Sequence, residues 1–165
     1  GLVVATYDEK SQEVDYLQKE IQSDIQGIAL IPDFELSTKA SRQVLPSEFV
    51  YSKAVQASSR SNVLVAALWQ EDWENVSRIV EKDLFHEPYR EKLIPFLTPV
   101  RKLAKEKEAI GTYLSGAGPT VMVLSSKDKS TTIVEYLQQH LPSELGNYNI
   151  QVLTVDPLGV RVEKR

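Results

Sequence analysis

The sequence predicts an α+β domain, one antiparallel sheet with helices packed on a face of it. Three observations carry that expectation. Short apolar, β-branched runs occur at Gly27 to Ile31, Thr120 to Leu124 and Ile150 to Val155. Longer segments with helical apolar spacing lie between them. A glycine corner, Ser115-Gly116-Ala117-Gly118-Pro119, joins two strand-like runs with no room for a crossover helix, so those two pair as a hairpin.

The elements follow in chain order. Leu2 to Thr6 reads as a short buried strand. In residues 11–24, Val14 and Tyr16 alternate with polar residues as in a strand, while Val14, Leu17 and Ile21 also fit a helical face; the alternation favours a strand. Gly27 to Ile31 is a strand ended by Pro32-Asp33. Ser37 caps a short helix running to about Leu45, before Pro46. Phe49 to Leu68 contains no proline or glycine and forms a long helix with a small-residue face. Glu71-Asp72 opens another helix, acidic residues suiting the positive end of its dipole. HEPYREKLIP reads as a loop because Pro88 and Pro95 bracket it. Phe96 to Ala104 is an amphipathic helix. Strands at 110–114 and 120–124, a helix around 133–141, a strand at 150–155 and a last strand at 159–162 complete the chain. From Gly27 onward the order is βαββαβ, that of a ferredoxin-like sheet with extra helices in the first crossover.

Bulk properties narrow the function. A chain of 165 residues, 42% of them hydrophobic, suits one domain with a genuine core. The formal net charge of −4 leaves no basic surface that would suggest nucleic-acid binding. No apolar run is long enough to span a membrane, and no signal-peptide pattern opens the chain, so a cytoplasmic location is expected. The absence of cysteine removes thiolate catalysis and zinc–thiolate sites. The chain opens in a strand-like run, GLVVAT, and is expected to be a piece of a longer polypeptide.

Three clusters could carry chemistry. The glycine corner is not a phosphate loop of the Walker or dinucleotide kind: those lead into a helix whose N–H groups face the phosphates, whereas TVMVL follows here and the corner holds no lysine. Gly116 and Gly118 would still permit close approach of a ligand or another backbone. Local evidence favours a plain tight hairpin over a binding turn. Thr38 and Arg42 are four apart and share one helical face, a plausible carboxylate or phosphate patch, against the alternative of a solvated arginine. In HEPYR, Arg90 could form a second anion clamp, and His86 is either a proton carrier or an ordinary surface histidine. His86 and His140 are the sole histidines and have no carboxylates at metal-site spacing. No serine has a base in register. Trp69 and Trp73 are expected in the core.

Together, SGAGPTVMVL, PDFELSTKASRQVLP and HEPYREKLIP resemble the GHMP kinases, small-molecule kinases named for galactose, homoserine, mevalonate and phosphomevalonate. The first resembles the family's third signature motif. The Thr-x3-Arg element and the EPYR loop are similar to the branch that phosphorylates L-homoserine with ATP in threonine biosynthesis. The resemblance covers nearly the whole chain and only the family's C-terminal half. It implies that residues 1–24 are the tail end of an N-terminal ATP-binding domain and that 25–165 are the substrate-side domain. It implies further that Arg42 and Arg90 clamp the amino-acid carboxylate, that Thr38 lines the pocket, and that Ser115, Gly116, Ala117 and Gly118 close around the substrate. The family's nucleotide loop, Pro-x3-Gly-Leu-Gly-Ser-Ser, is nowhere in this sequence. ATP and Mg2+ are accordingly expected to bind mainly to the N-terminal domain, with no catalytic or metal-ligating residue in this chain, which is expected to be inactive alone. A homodimer is an arrangement the sequence leaves open. So are a sister kinase of the family, such as one acting on cytidyl-diphosphate methylerythritol, and a ferredoxin-like ligand-binding module without transfer chemistry.

Overall fold

A computed structural model describes residues 1–159 and 161–163. Its strands are β1 (Leu2–Asp8), β2 (Glu13–Lys19), β3 (Ile25–Pro32), β4 (Gly111–Leu114), β5 (Val121–Ser126) and β6 (Tyr148–Thr154). Its helices are α1 (Thr38–Gln43), α2 (Tyr51–Gln70), α3 (Trp73–Ile79), α4 (Glu87–Arg90), α5 (Leu97–Glu106) and α6 (Lys127–His140). The main sheet has the order β4-β5-β3-β6, every neighbouring pair antiparallel, which is the ferredoxin-like βαββαβ arrangement.

Register decides which residues form the core. Ile28 lies opposite Val123 and Leu30 opposite Val121, so these four project from one face. They meet Phe96, Leu97, Val100 and Ala104 of the α5 region and Ile133 and Leu137 of α6, all fully buried. The opposite face carries Gly111, Tyr113 and Leu124. The enlarged first crossover stands over it: Val80, just after α3, packs so closely on Gly111 that an added Cβ would come within 2.1 Å of its Cγ1.

Residues 1–24 form a separate two-stranded sheet in which Val4 faces Leu17 and Tyr7 faces Val14. The strand reading of the ambiguous segment therefore stands. The expectation that Leu2 to Thr6 is buried does not: Val3 is 56% exposed, and Tyr7, Val14 and Tyr16 are open as well. A period-2 pattern marks a strand but not whether a second layer covers it. The hairpin is tied down at one corner. The carboxylate of Glu71, a residue at φ 56 just past α2, accepts the Gln22 and Ser23 N–H groups and the Ser23 hydroxyl, and pairs with Lys19 at 3.3 Å. Trp69 and Trp73, expected in the core, are only half-buried beside this corner. Trp73 Nε1 donates to Ser23 Oγ at 3.1 Å.

HEPYREKLIP is not a loop. It forms α4 and a following 3-10 turn, Glu91–Leu93. Pro88 falls in the first turn of α4, where its missing N–H costs nothing. The last strand expected, at 159–162, includes residue 160, which lies outside the described residues; Gly159 and Arg161 are not in a strand.

Candidate functional site

Three short segments converge at one edge of the sheet. α1 begins at Ser37, whose Oγ accepts the Ala40 N–H at 3.1 Å, the capping bond its sequence predicts. This helix presents Thr38 and Arg42 outward, both exposed, and turns Ser41 inward, where it is fully buried. α4 is shaped by Asp83. Its carboxylate accepts the N–H groups of Phe85, His86 and Glu87 at 2.9, 2.7 and 2.6 Å, winding the chain into the helical turn. Burial pushes the Asp83 carboxyl up, but these donors and nearby His86 outweigh it and hold it below its ordinary value. The third segment is the glycine corner, with Gly116 and Gly118 at φ +58 and +82 and Ser115 N–H donating to Thr120 O at 3.0 Å.

Arg90 is buried, and its guanidinium joins the other two segments: Nε donates to Ser41 O at 3.2 Å and one Nη to Gly116 O at 3.0 Å. Ser41 Oγ in turn donates to Ala117 O at 3.0 Å. Glu87 accepts the Leu114 N–H at 2.8 Å with one oxygen and Arg101 at 2.7 Å with the other. Burial raises the Glu87 carboxyl above its usual value, opposed by those two partners.

Thr38, Arg42, His86, Arg90, Gly116 and Ala117 line a cleft of about 420 Å³. Five of the seven predicted site residues are thus brought together. Ser115 and Gly118 are not on its wall; Gly118 is packed against Ile94 behind the corner. His86 joins the cleft, its Nδ1 3.8 Å from the Asp83 carboxylate. Ser41, Glu87 and Asp83 were not singled out for this site from sequence.

Neither Arg42 nor Arg90 forms an ion pair among the described residues. Two unneutralised guanidinium groups and a glycine corner make a receptor for a small anion, carboxylate above all. Among the described residues no three metal-ligating side chains converge. A second, apolar cavity of about 490 Å³ adjoins the cleft, sharing His86, Arg90 and Gly116 and walled by Leu64, Leu68, Trp73 and Leu124.

Sequence comparison places this architecture in a class. The family described as GHMP kinases C terminal matches residues 64–143 of this chain. Its relatives are more particular. A homoserine kinase of Streptococcus sanguinis is 49% identical over 143 residues, covering 86% of this chain and 48% of that protein. One from Bacillus cereus is 43% identical over all 165 residues, 53% of its own length. Among solved structures, the homoserine kinase of Cytophaga hutchinsonii superposes with a TM-score of 0.79 at 27% identity, over 87% of this chain and 46% of that one. The chain spans about half the length of the curated relatives it matches.

Proposed function

We propose that this chain is the substrate-side portion of an enzyme that transfers the γ-phosphoryl group of ATP to the hydroxyl of L-homoserine. The observation that carries the reading is the convergence of Arg42 and Arg90, without acidic partners among the described residues, on a cleft floored by the glycine corner. A bidentate guanidinium fork matches a carboxylate, and holding that end of homoserine fixes where its hydroxyl points. Arg42 is the freer fork. Arg90, already joined to two carbonyls, offers its remaining donors. Phosphoryl transfer needs a nucleotide and a magnesium ion to neutralise developing charge. This chain has no phosphate loop for them, which supports their being held mainly by an N-terminal domain of which residues 1–24 are the last hairpin. The exposed apolar face of that hairpin, Val3, Tyr7, Val14 and Tyr16, suits such a partner layer. No helix among the described residues is long and apolar enough to cross a membrane, and we place the enzyme in the cytoplasm. A homodimer is compatible with this reading, and light scattering of the full-length protein reads that out.

In the full-length protein, Arg42→Ala should raise the homoserine KM by about tenfold or more, the scale of a lost charge-assisted hydrogen bond. Arg90→Ala should do so at least as strongly, while the ATP KM holds. Unchanged homoserine kinetics in both variants would remove the assignment. A Gly-Leu-Gly-Ser-Ser loop encoded upstream of Gly1 is a second check.

A further inference from the structure

Behind the cleft wall, four hydrogen bonds tie α1, α4 and the glycine corner with its root to one another, and two of the residues that make them, Ser41 and Glu87, do not line the cleft. Ser41 makes two: its buried hydroxyl donates to Ala117 O at 3.0 Å, and its carbonyl accepts Arg90 Nε at 3.2 Å. One residue of α1 therefore holds both the corner and the second arginine, and it is the chain neighbour of Arg42. Glu87 makes the matching tie from α4. It accepts the N–H of Leu114, the last residue of β4, at 2.8 Å, while Arg90, one helical turn later, reaches Gly116 O at 3.0 Å. α4 is thus fastened to the chain on both sides of Ser115. Arg101 keeps the Glu87 carboxylate in place, binding it at 2.7 Å and Thr112 O at 3.1 Å.

We infer that Ser41 and Glu87 are positioning residues: through Arg90, the α1 backbone and the root of the corner, they set the spacing between the two guanidinium groups and so the affinity for a carboxylate substrate. This rests on the carboxylate-clamp reading of the cleft. A clamp of two forks binds well only if their separation is fixed beforehand, since small misplacements of binding groups are costly. An ordinary buried serine stabilises whatever it touches. This one touches the two segments that carry the other cleft residues.

The test uses the full-length protein, comparing Ser41→Ala, the near-isosteric Glu87→Gln, and Arg42→Ala as the probe of the clamp itself. Homoserine KM, ATP KM, kcat and thermal midpoint are measured for each. Ser41→Ala should raise the homoserine KM about fivefold to tenfold, as the half-buried Ala117 carbonyl loses its donor, and leave the ATP KM within about twofold, a spread that additivity error alone can produce. Glu87→Gln, whose amide oxygen still accepts from Leu114, should show a smaller rise in the same parameter. Two variants with wild-type homoserine KM beside a crippled Arg42→Ala would overturn the inference and leave the clamp standing. So would homoserine and ATP KM rising in parallel with a lowered thermal midpoint, the mark of a general packing role. A wild-type homoserine KM in Arg42→Ala removes the clamp, and this inference with it.

Discussion

Gly116 and Gly118 share a left-handed φ but not a reason for being glycine. A Cβ on Gly116 would meet nothing within 4 Å, whereas one on Gly118 would stand 2.5 Å from Ile94 Cδ1. Ile94 is itself 1% exposed in the core and has little room to yield. Gly116→Ala should therefore cost about 1–2 kcal/mol, the penalty of a left-handed alanine alone. Gly118→Ala adds overpacking and should cost about 2–4 kcal/mol in total. Urea unfolding of the two variants reads the difference, and equal losses would show that Ile94 moves aside freely. Gly118 thus serves the fold and Gly116 the cleft, a division invisible in the letters GAG.

At the level of elements, α4 depends on a side chain outside it. Four residues cannot hold a helix by propensity, so the Asp83 carboxylate and its three N–H donors maintain the turn that carries Arg90. Asp83→Ala should destabilise the protein by about 1–3 kcal/mol, one carboxylate cap lost. It should also speed amide exchange at residues 85–87 ahead of the rest of the chain. Uniform protection across the variant would sink that account. Strand β4 shows the same dependence. It lies at the sheet edge, and its outward N–H groups at Thr112 and Leu114 donate to the Glu81 and Glu87 carboxylates at 2.8 Å each. Side chains cover an edge that would otherwise invite another strand.

For the molecule as a whole, acid is the natural perturbant. Hydrogen bonds from the Ser23 hydroxyl, then the Gln22 N–H, lower the Glu71 carboxyl from 4.5 to about 2. A carboxyl depressed in the folded state adds stability that is full above its unfolded value and lost as pH falls through the folded one. Glu71 should thus cease to hold the hairpin between pH 4.5 and about 2. Asp8, Asp72, Asp83 and Asp128 are also lowered and act in the same sense. Glu87, raised by burial, acts in the opposite one. The urea midpoint should fall on acidification, and Glu71→Gln should flatten that slope over this window; an unaltered slope would mean Glu71 holds the hairpin by other means. The βαββαβ order from Gly27 onward, the capped α1 and the strand after the glycine corner were all legible in the sequence, because they rest on local periodicity, capping and turn chemistry. The exposure of β1 and the helicity of HEPYR were not, since each depends on what lies opposite. Nor were Ser41 and Glu87, whose partners are 76 and 27 residues away. The sequence alone determined which segments carry arginines and glycines. Only the tertiary structure decided that those segments meet, because hydrogen bonds between side chains and distant backbone groups leave no periodic trace in the chain.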